Sequence, residues 1–268
     1  RNAFSTTISL ASVAFMLVLT NRRLALAPPL FAWLVLALGL IAATLTLNRT
    51  MWPALGAAAI VYLLACNAKR LQTPRNRLVG ALLVVLIAAI STTQFFLTTK
   101  IRRSEQSASQ GVVTTVINDE RVPIWKYALQ RATDRPLTGF GYGRGILRKD
   151  FRANIGNELA WHAHNVFLNQ VISGGIPGLA AYCLMLLALC SAFVRLVRQQ
   201  DSLVRSLGAF GLALLACMFV RSLADDTIVR ENALLFWSLA GMALGTGMRR
   251  IDSLPSMAAG SSQSVAAR

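Results

Sequence analysis

The only two histidines, His162 and His164, stand two apart in Trp161-His162-Ala163-His164-Asn165, where a long polar segment meets an apolar one. A neutral imidazole can take a proton from a hydroxyl near neutral pH, because its ordinary pKa is about 6.5. On a helix the two rings would point about 200° apart, whereas an extended segment would put them on one face. A general base and an interfacial histidine bonded to a carbonyl have the same signature here, and both readings stand. A metal centre needs at least a third ligand. Asp150 or Glu158 would have to supply it, at a spacing that matches no familiar signature, so no metal is expected.

Arginines offer the complementary chemistry. Arg49 is alone between two apolar segments, Arg121 opens an amphipathic stretch, and Arg221 ends an apolar run. A guanidinium keeps its charge and grips phosphate with two parallel hydrogen bonds, so converging arginines can hold a pyrophosphate without a metal. The plainer alternatives are snorkelling to lipid headgroups for Arg49, and mutual pairing of Arg221 and Arg230 with Asp225, Asp226 and Glu231.

The elements that must position these groups are apolar. Of 268 residues 55% are hydrophobic and only 14% charged, against roughly 25% charged in soluble domains. This predicts an all-α, polytopic transmembrane bundle, since helices satisfy their own backbone in lipid and no alternating barrel pattern occurs. About seven segments approach the length of a span, near residues 5–20, 27–47, 51–66, 78–98, within 165–194, 206–223 and 232–248. The expected organisation is four helices in 1–99, a large loop at 100–161 containing short helices, three helices in 162–248, and a disordered cytoplasmic tail at 249–268.

Charge sets the expected orientation. Arg22 and Arg23, then Lys69, Arg70, Arg75 and Arg77, then Arg195, Arg198 and Arg205, and finally Arg249 and Arg250 fall in alternate loops. Seven spans would put them all in the cytoplasm and the 100–161 loop on the other side, the periplasm of a bacterium. The net charge of +16 is then a topological signal, and nucleic acid is not an expected partner. A transporter would carry ionisable residues within its spans, yet nearly every charge lies at an end.

The loop carries two patterns. Residues 122–133 read as a helix with Pro123 in its first turn and Ile124, Trp125, Ala128, Leu129 and Ala132 on one face, suited to a membrane surface. Gly139-Phe140-Gly141-Tyr142-Gly143 is turn-rich, but no strand precedes it and no Gly-Lys-Ser follows, which argues against a nucleotide loop. The four cysteines all fall in apolar segments without metal-type spacing. Cys183 and Cys190 would lie about 10 Å apart along one helix, too far to bridge.

His164-Asn165, nine residues, then Gly175-x-x-Gly178 resembles the motif of the O-antigen ligase family, within the ligase and polymerase superfamily. Arg49 before Trp52 resembles that family's short-loop Ser-Arg-x-x-Trp region, with Asn48 in place of Ser. Arg121 with Trp125, and Pro136-Leu137-Thr138-Gly139-Phe140-Gly141, are similar to its loop features. Members typically have more spans, so the chain, which begins at Arg1, is read as the C-terminal part of a longer protein. The resemblance implies an inverting, metal-independent glycosyltransferase of the bacterial inner membrane, with no cofactor and a site facing the periplasm. It would move O-antigen polysaccharide from undecaprenyl pyrophosphate to lipid A–core. His164 would be the catalytic base. Arg49, Arg121, Arg221, His162 and Asn165 would bind substrate, with His162 in a supporting place. An O-antigen polymerase or a protein O-oligosaccharyltransferase would share this donor and fold.

Overall fold

The computed structural model describes residues 2–20, 29–45, 48, 50–67, 74–104, 121–143, 145–156, 162–227 and 230–266. Their regular structure is helical, with no strand among the described residues. In chain order the helices are α1 (Asn2–Thr20), α2 (Pro29–Thr44), α3 (Met51–Asn67), α4 (Pro74–Ser104), α5 (Arg121–Asp134), α6 (Arg148–Ile155), α7 (Val166–Val197), α8 (Ser202–Ser222) and α9 (Arg230–Ala266).

The chain is a multi-pass membrane protein, and among the described residues its apolar helices fall in segments that hydropathy marks. By length and composition three can cross a bilayer on their own: Leu78–Leu97 within α4, then Val166–Val197 and Ser202–Ser222. Phe4–Val18 and Met51–Asn67 are shorter. The contrast between α4 and α8 shows how the bundle is arranged. Leu78, Leu82, Val85 and Leu86 of α4 are exposed, which suits a face against lipid tails. Helix α8 is apolar all round and packs against α1, α3, α7 and α9, so it is the central post of the bundle.

Lipid is as apolar as leucine, so such helices associate through close packing more than through hydrophobicity. Gly208 and Gly211 of α8 face Phe193 of α7, whose ring is fully buried where any larger side chain would collide. The N-terminus of α8 is pinned as well. Asp201 caps it, its Oδ1 accepting from the Leu203 and Val204 amides at 2.9 and 3.0 Å. Its Oδ2 receives Nε and Nη2 of Arg250 from α9 at 3.0 and 2.9 Å. That fork, then the cap amides, hold the Asp201 carboxyl down to about 2.

A depressed carboxylate stabilises the fold above its unfolded pKa, near 3.9, and loses that contribution as pH falls through its folded value. Thermal melts in detergent should therefore show wild type above Asp201→Asn at pH 6 and the gap closing between about pH 4 and pH 2. Asp201→Ala, which also removes the cap, should cost about 1 kcal/mol more than Asp201→Asn.

Among the described residues, the 100–161 segment holds two short helices. Sequence pattern predicts α5 with Leu129 on its apolar face, whereas Leu129 is exposed and the buried residues are Ile124 and Ala128. The reason is the narrowness of the contact: these two residues meet Leu147, Phe151, Ala163 and Ile172 in a small core shared by α5, α6 and α7. Tyr127 and Phe151 add an edge-to-face pair at 5.2 Å. Arg131 bridges Asp134 at 2.6 Å and Asp150 at 3.2 Å, tying α5 to α6.

Helix α7 is broken where its sequence says it must be. Gly175 has φ 66° and ψ −165°, and Pro177 follows. Exposed backbone at such a break is costly in a membrane unless protein supplies partners. The Pro136–Gly141 stretch supplies them. The Phe140 amide donates to the Ile172 carbonyl at 2.7 Å, Gly141 to Ser173 at 3.0 Å, and the Ile176 amide donates back to Pro136 at 2.7 Å. Arg131 and Arg135 stack on the Phe140 ring, at 4.9 and 5.1 Å from its centroid. The turn-rich motif is thus a clasp that holds the loop against α7.

Two glycines make that clasp possible. Gly139 has φ 62°, and a Cβ there would lie 2.5 Å from the Ser173 carbonyl; one on Gly175 would lie 2.6 Å from the Pro136 oxygen. Both neighbours are backbone and cannot move aside. Gly139→Ala and Gly175→Ala should each cost about 2–4 kcal/mol, combining left-handed strain with collision. The measurement is detergent-solubilised stability against wild type, and an unchanged midpoint would contradict the clasp.

At the other end, helical backbone continues through α9 to Ala266.

Candidate active site

The site forms where the short bend 162–165 enters α7, beside the turn that ends α8. Asn165 caps α7, its Oδ1 accepting from the Leu168 amide at 3.1 Å. Its Nδ2 donates to the Leu223 carbonyl at 3.0 Å, so one amide joins the start of α7 to the end of α8. The Ala163 amide donates to Asn169 Oδ1 at 3.0 Å. His164, between them, sits at φ 47°, a left-handed conformation unusual for a residue with a Cβ. Such a conformation costs about 1–3 kcal/mol and persists only where its surroundings fix it. Its effect is to lay the two imidazoles side by side, centroids 3.9 Å apart and tilted by 42°. His162 is buried and His164 half-buried.

Asp225 completes the pair. Its backbone amide donates to the Arg221 carbonyl at 3.0 Å, extending the last turn of α8. The carboxylate is buried with Oδ1 at 3.5 Å from His164 Nδ1, at the outer limit of a hydrogen bond. Burial alone would push this carboxyl up. The His164 bond, the Asp226 amide at 2.9 Å, and the charges of His164 and Arg121 outweigh it and hold Asp225 below its ordinary value. The group is therefore a carboxylate in position to fix the imidazole's tautomer.

Positive charge gathers around the same point. Arg221 is fully buried in the last turn of α8, with Nη2 donating to Ser5 Oγ at 3.2 Å. The same hydroxyl receives Asn48 Nδ2 at 2.8 Å. Asn48 Oδ1 in turn accepts from the Thr50 amide and hydroxyl at 3.1 and 2.8 Å. Arg49, between Asn48 and Thr50, lies outside the described residues. Arg121, half-buried at the start of α5, is close enough for its charge to act on both Arg221 and Asp225.

Of the residues singled out in the sequence, His162, His164, Asn165, Arg121 and Arg221 are thus brought to one end of the bundle. The third donor near the histidines is Asp225, about sixty residues on, where proximity in sequence pointed to Asp150 or Glu158. Asp150 is engaged with Arg131, and Glu158 lies outside the described residues. Asp225 pairs with a histidine where its loop suggested an arginine. The signal that could have found it was its place in the loop that follows Arg221.

An apolar cavity of about 550 Å³ lies between α7 and α8, bordered by Phe167, Tyr182, Leu186, Met218, Phe219 and Ser222 among others. Phe167 is three residues from His164 and Ser222 three from Asp225, so one end of the cavity lies beside the polar site.

Residues 33–183, more than half of the chain, match the O-antigen ligase family. The chain belongs to that family. The matched stretch of this O-antigen ligase family member contains Arg49, Arg121, both histidines and the Gly175 break, and ends before Arg221 and Asp225. No curated protein matches the chain. Membership supports a glycosyltransferase of the O-antigen ligase and polymerase type, acting on polysaccharide linked to lipid in a membrane setting.

Proposed function

We propose that the chain catalyses an inverting, metal-independent transfer of O-antigen polysaccharide from undecaprenyl pyrophosphate to lipid A–core. The observation that carries this reading is the His164–Asp225 pair beside buried Arg221. Asp225 accepts a hydrogen bond from His164 Nδ1–H, which leaves the Nε2 lone pair for the acceptor hydroxyl. As the hydroxyl proton moves to Nε2, the acceptor oxygen bonds to the anomeric carbon from the face opposite the pyrophosphate. The glycosidic C–O bond breaks and its electron pair leaves with the pyrophosphate. Arg221, Arg121 and Arg49 neutralise the charge that develops there, in a water-poor setting where such stabilisation is strongest. The apolar cavity gives the isoprenoid chain of the donor a place beside the reacting end. His162 supports the His164 ring. Asn165, whose amide is used at both ends, positions the segment.

This requires the loop side to face the periplasm of the inner membrane. Cysteines placed singly at Gln106 and Asn157, in a background lacking the native four, should react with an impermeant maleimide outside spheroplasts, and one at Asn76 should not. Labelling at Asn76 alone would put the site on the wrong side. The acceptor is tested by lipopolysaccharide gels from a strain lacking the gene and complemented with it. Loss and return of capped lipid A–core support a ligase. Altered chain length with capping intact would mean a polymerase, and modified protein serines an O-oligosaccharyltransferase.

A further inference from the structure

We propose that His162, His164 and Asp225 form a binding site for a divalent transition metal of the zinc class, and that metal held there switches the His164 base off. One ligand atom from each residue lies within 4.8 Å of the others, and His164 Nδ1 is 3.5 Å from Asp225 Oδ1. Donors around a tetrahedral zinc ion, with bonds of about 2.0–2.1 Å, lie roughly 3.3 Å apart. One of the three separations is already near that value, and the others need to close by about 1.5 Å or less.

The donor set selects the metal. Two imidazoles and one carboxylate suit zinc, nickel, cobalt or copper, whereas magnesium and calcium prefer oxygen alone. Three protein donors leave a fourth position for water, as in open zinc sites. Burial of His162 and Asp225 favours the site by shielding the ligands from water. The charges of Arg121 and Arg221 work against a dication, which favours a reversible occupant over a permanent one.

The switch follows from the tautomer, and this half of the proposal rests on the catalytic reading above. In the metal-free protein the His164 proton sits on Nδ1, facing Asp225, and Nε2 is free to accept. A metal on Nδ1 takes that lone pair, and a neutral imidazole must then carry its proton on Nε2. The nitrogen that should receive the hydroxyl proton is already protonated. No net proton change is needed, yet the base is lost.

The test uses the full chain in detergent with Cys66, Cys183, Cys190 and Cys217 replaced by alanine, so that thiolates cannot bind. Cobalt(II) is titrated as a spectroscopic probe, and zinc affinity is measured by competition with a chelating dye. The site predicts one metal per chain, with the visible bands of a tetrahedral nitrogen and oxygen shell. His162→Ala and Asp225→Asn should each weaken zinc by more than about 100-fold, beyond the loss of an outer-shell partner. A spectrum of hydrated cobalt throughout, or unchanged affinity in both variants, would overturn the site. Zinc should also lower transfer by wild-type protein, with EDTA restoring it. Zinc bound at the triad with transfer undiminished would overturn the switch. Zinc bound there in a chain that transfers nothing even without metal would remove the catalytic reading and leave the site standing.

Discussion

His164→Ala should lower transfer by about 10²–10⁴-fold, the usual scale for removing a general base, while the protein still inserts to the wild-type level. The α7 cap comes from Asn165 and the turn from backbone, so the imidazole itself contributes little to the fold. Alanine also relieves nothing at φ 47°, so a milder His164→Asn or His164→Gly control separates backbone strain from lost chemistry. His162→Ala should cost less, because that ring lies beside His164 and its loss removes only support. The readout is capped lipopolysaccharide, or sugar transfer in membranes at matched protein. Equal activity of wild type and His164→Ala would remove the base assignment, and a defect confined to His162→Ala would transfer it to the other ring.

The second large effect concerns the arginines. Arg49→Lys, Arg121→Lys and Arg221→Lys keep the charge but lose the two-pronged geometry that matches phosphate. Each should reduce transfer by about 10²-fold, comparable to deleting one preorganised donor. Arg221→Lys should also lower stability, because the fully buried guanidinium holds Ser5 of α1 while Ser5 receives Asn48. Arg121, half-buried, should change activity with little change in melting. EDTA should leave transfer intact in every case. If chelation stops turnover and Mg²⁺ or Mn²⁺ restores it, the arginine mechanism is wrong and Asp225 becomes a ligand of the essential metal.

Much of this was readable from one sequence because membranes simplify the problem. Helix is the only way for apolar segments such as Leu78–Leu97 or Ser202–Ser222 to satisfy their backbone in lipid, and hydropathy locates them directly. The Gly174-Gly175-Ile176-Pro177-Gly178 break was equally legible as a break. What it docks against was not, since the Pro136–Gly141 partner lies 32 to 40 residues away in sequence and the contact is backbone to backbone, which leaves no side-chain pattern to read. The same limit hid the role of Asp225. Charge counting paired it with Arg221 or Arg230, but a carboxylate's partner is fixed by where a helix ends. The last turn of α8 carries Asp225 towards His164, and only the packing of α7 on α8 makes that contact. The exposure of Leu129 follows from packing too, because helical periodicity gives the direction of a face and not its width.

The account's central claim is that His164 and Asp225 act as one unit on the acceptor proton, and a double-mutant cycle tests it most directly. Transfer by wild type, Asp225→Asn, His164→Ala and the double variant would be compared under saturating donor at equal membrane levels. Groups that work as a unit are strongly non-additive. Asp225→Asn alone should lose a large part of activity, and adding it to His164→Ala should cost nothing further. If the two losses instead multiply, Asp225 acts independently of the imidazole, and the dyad is not how this protein deprotonates its acceptor.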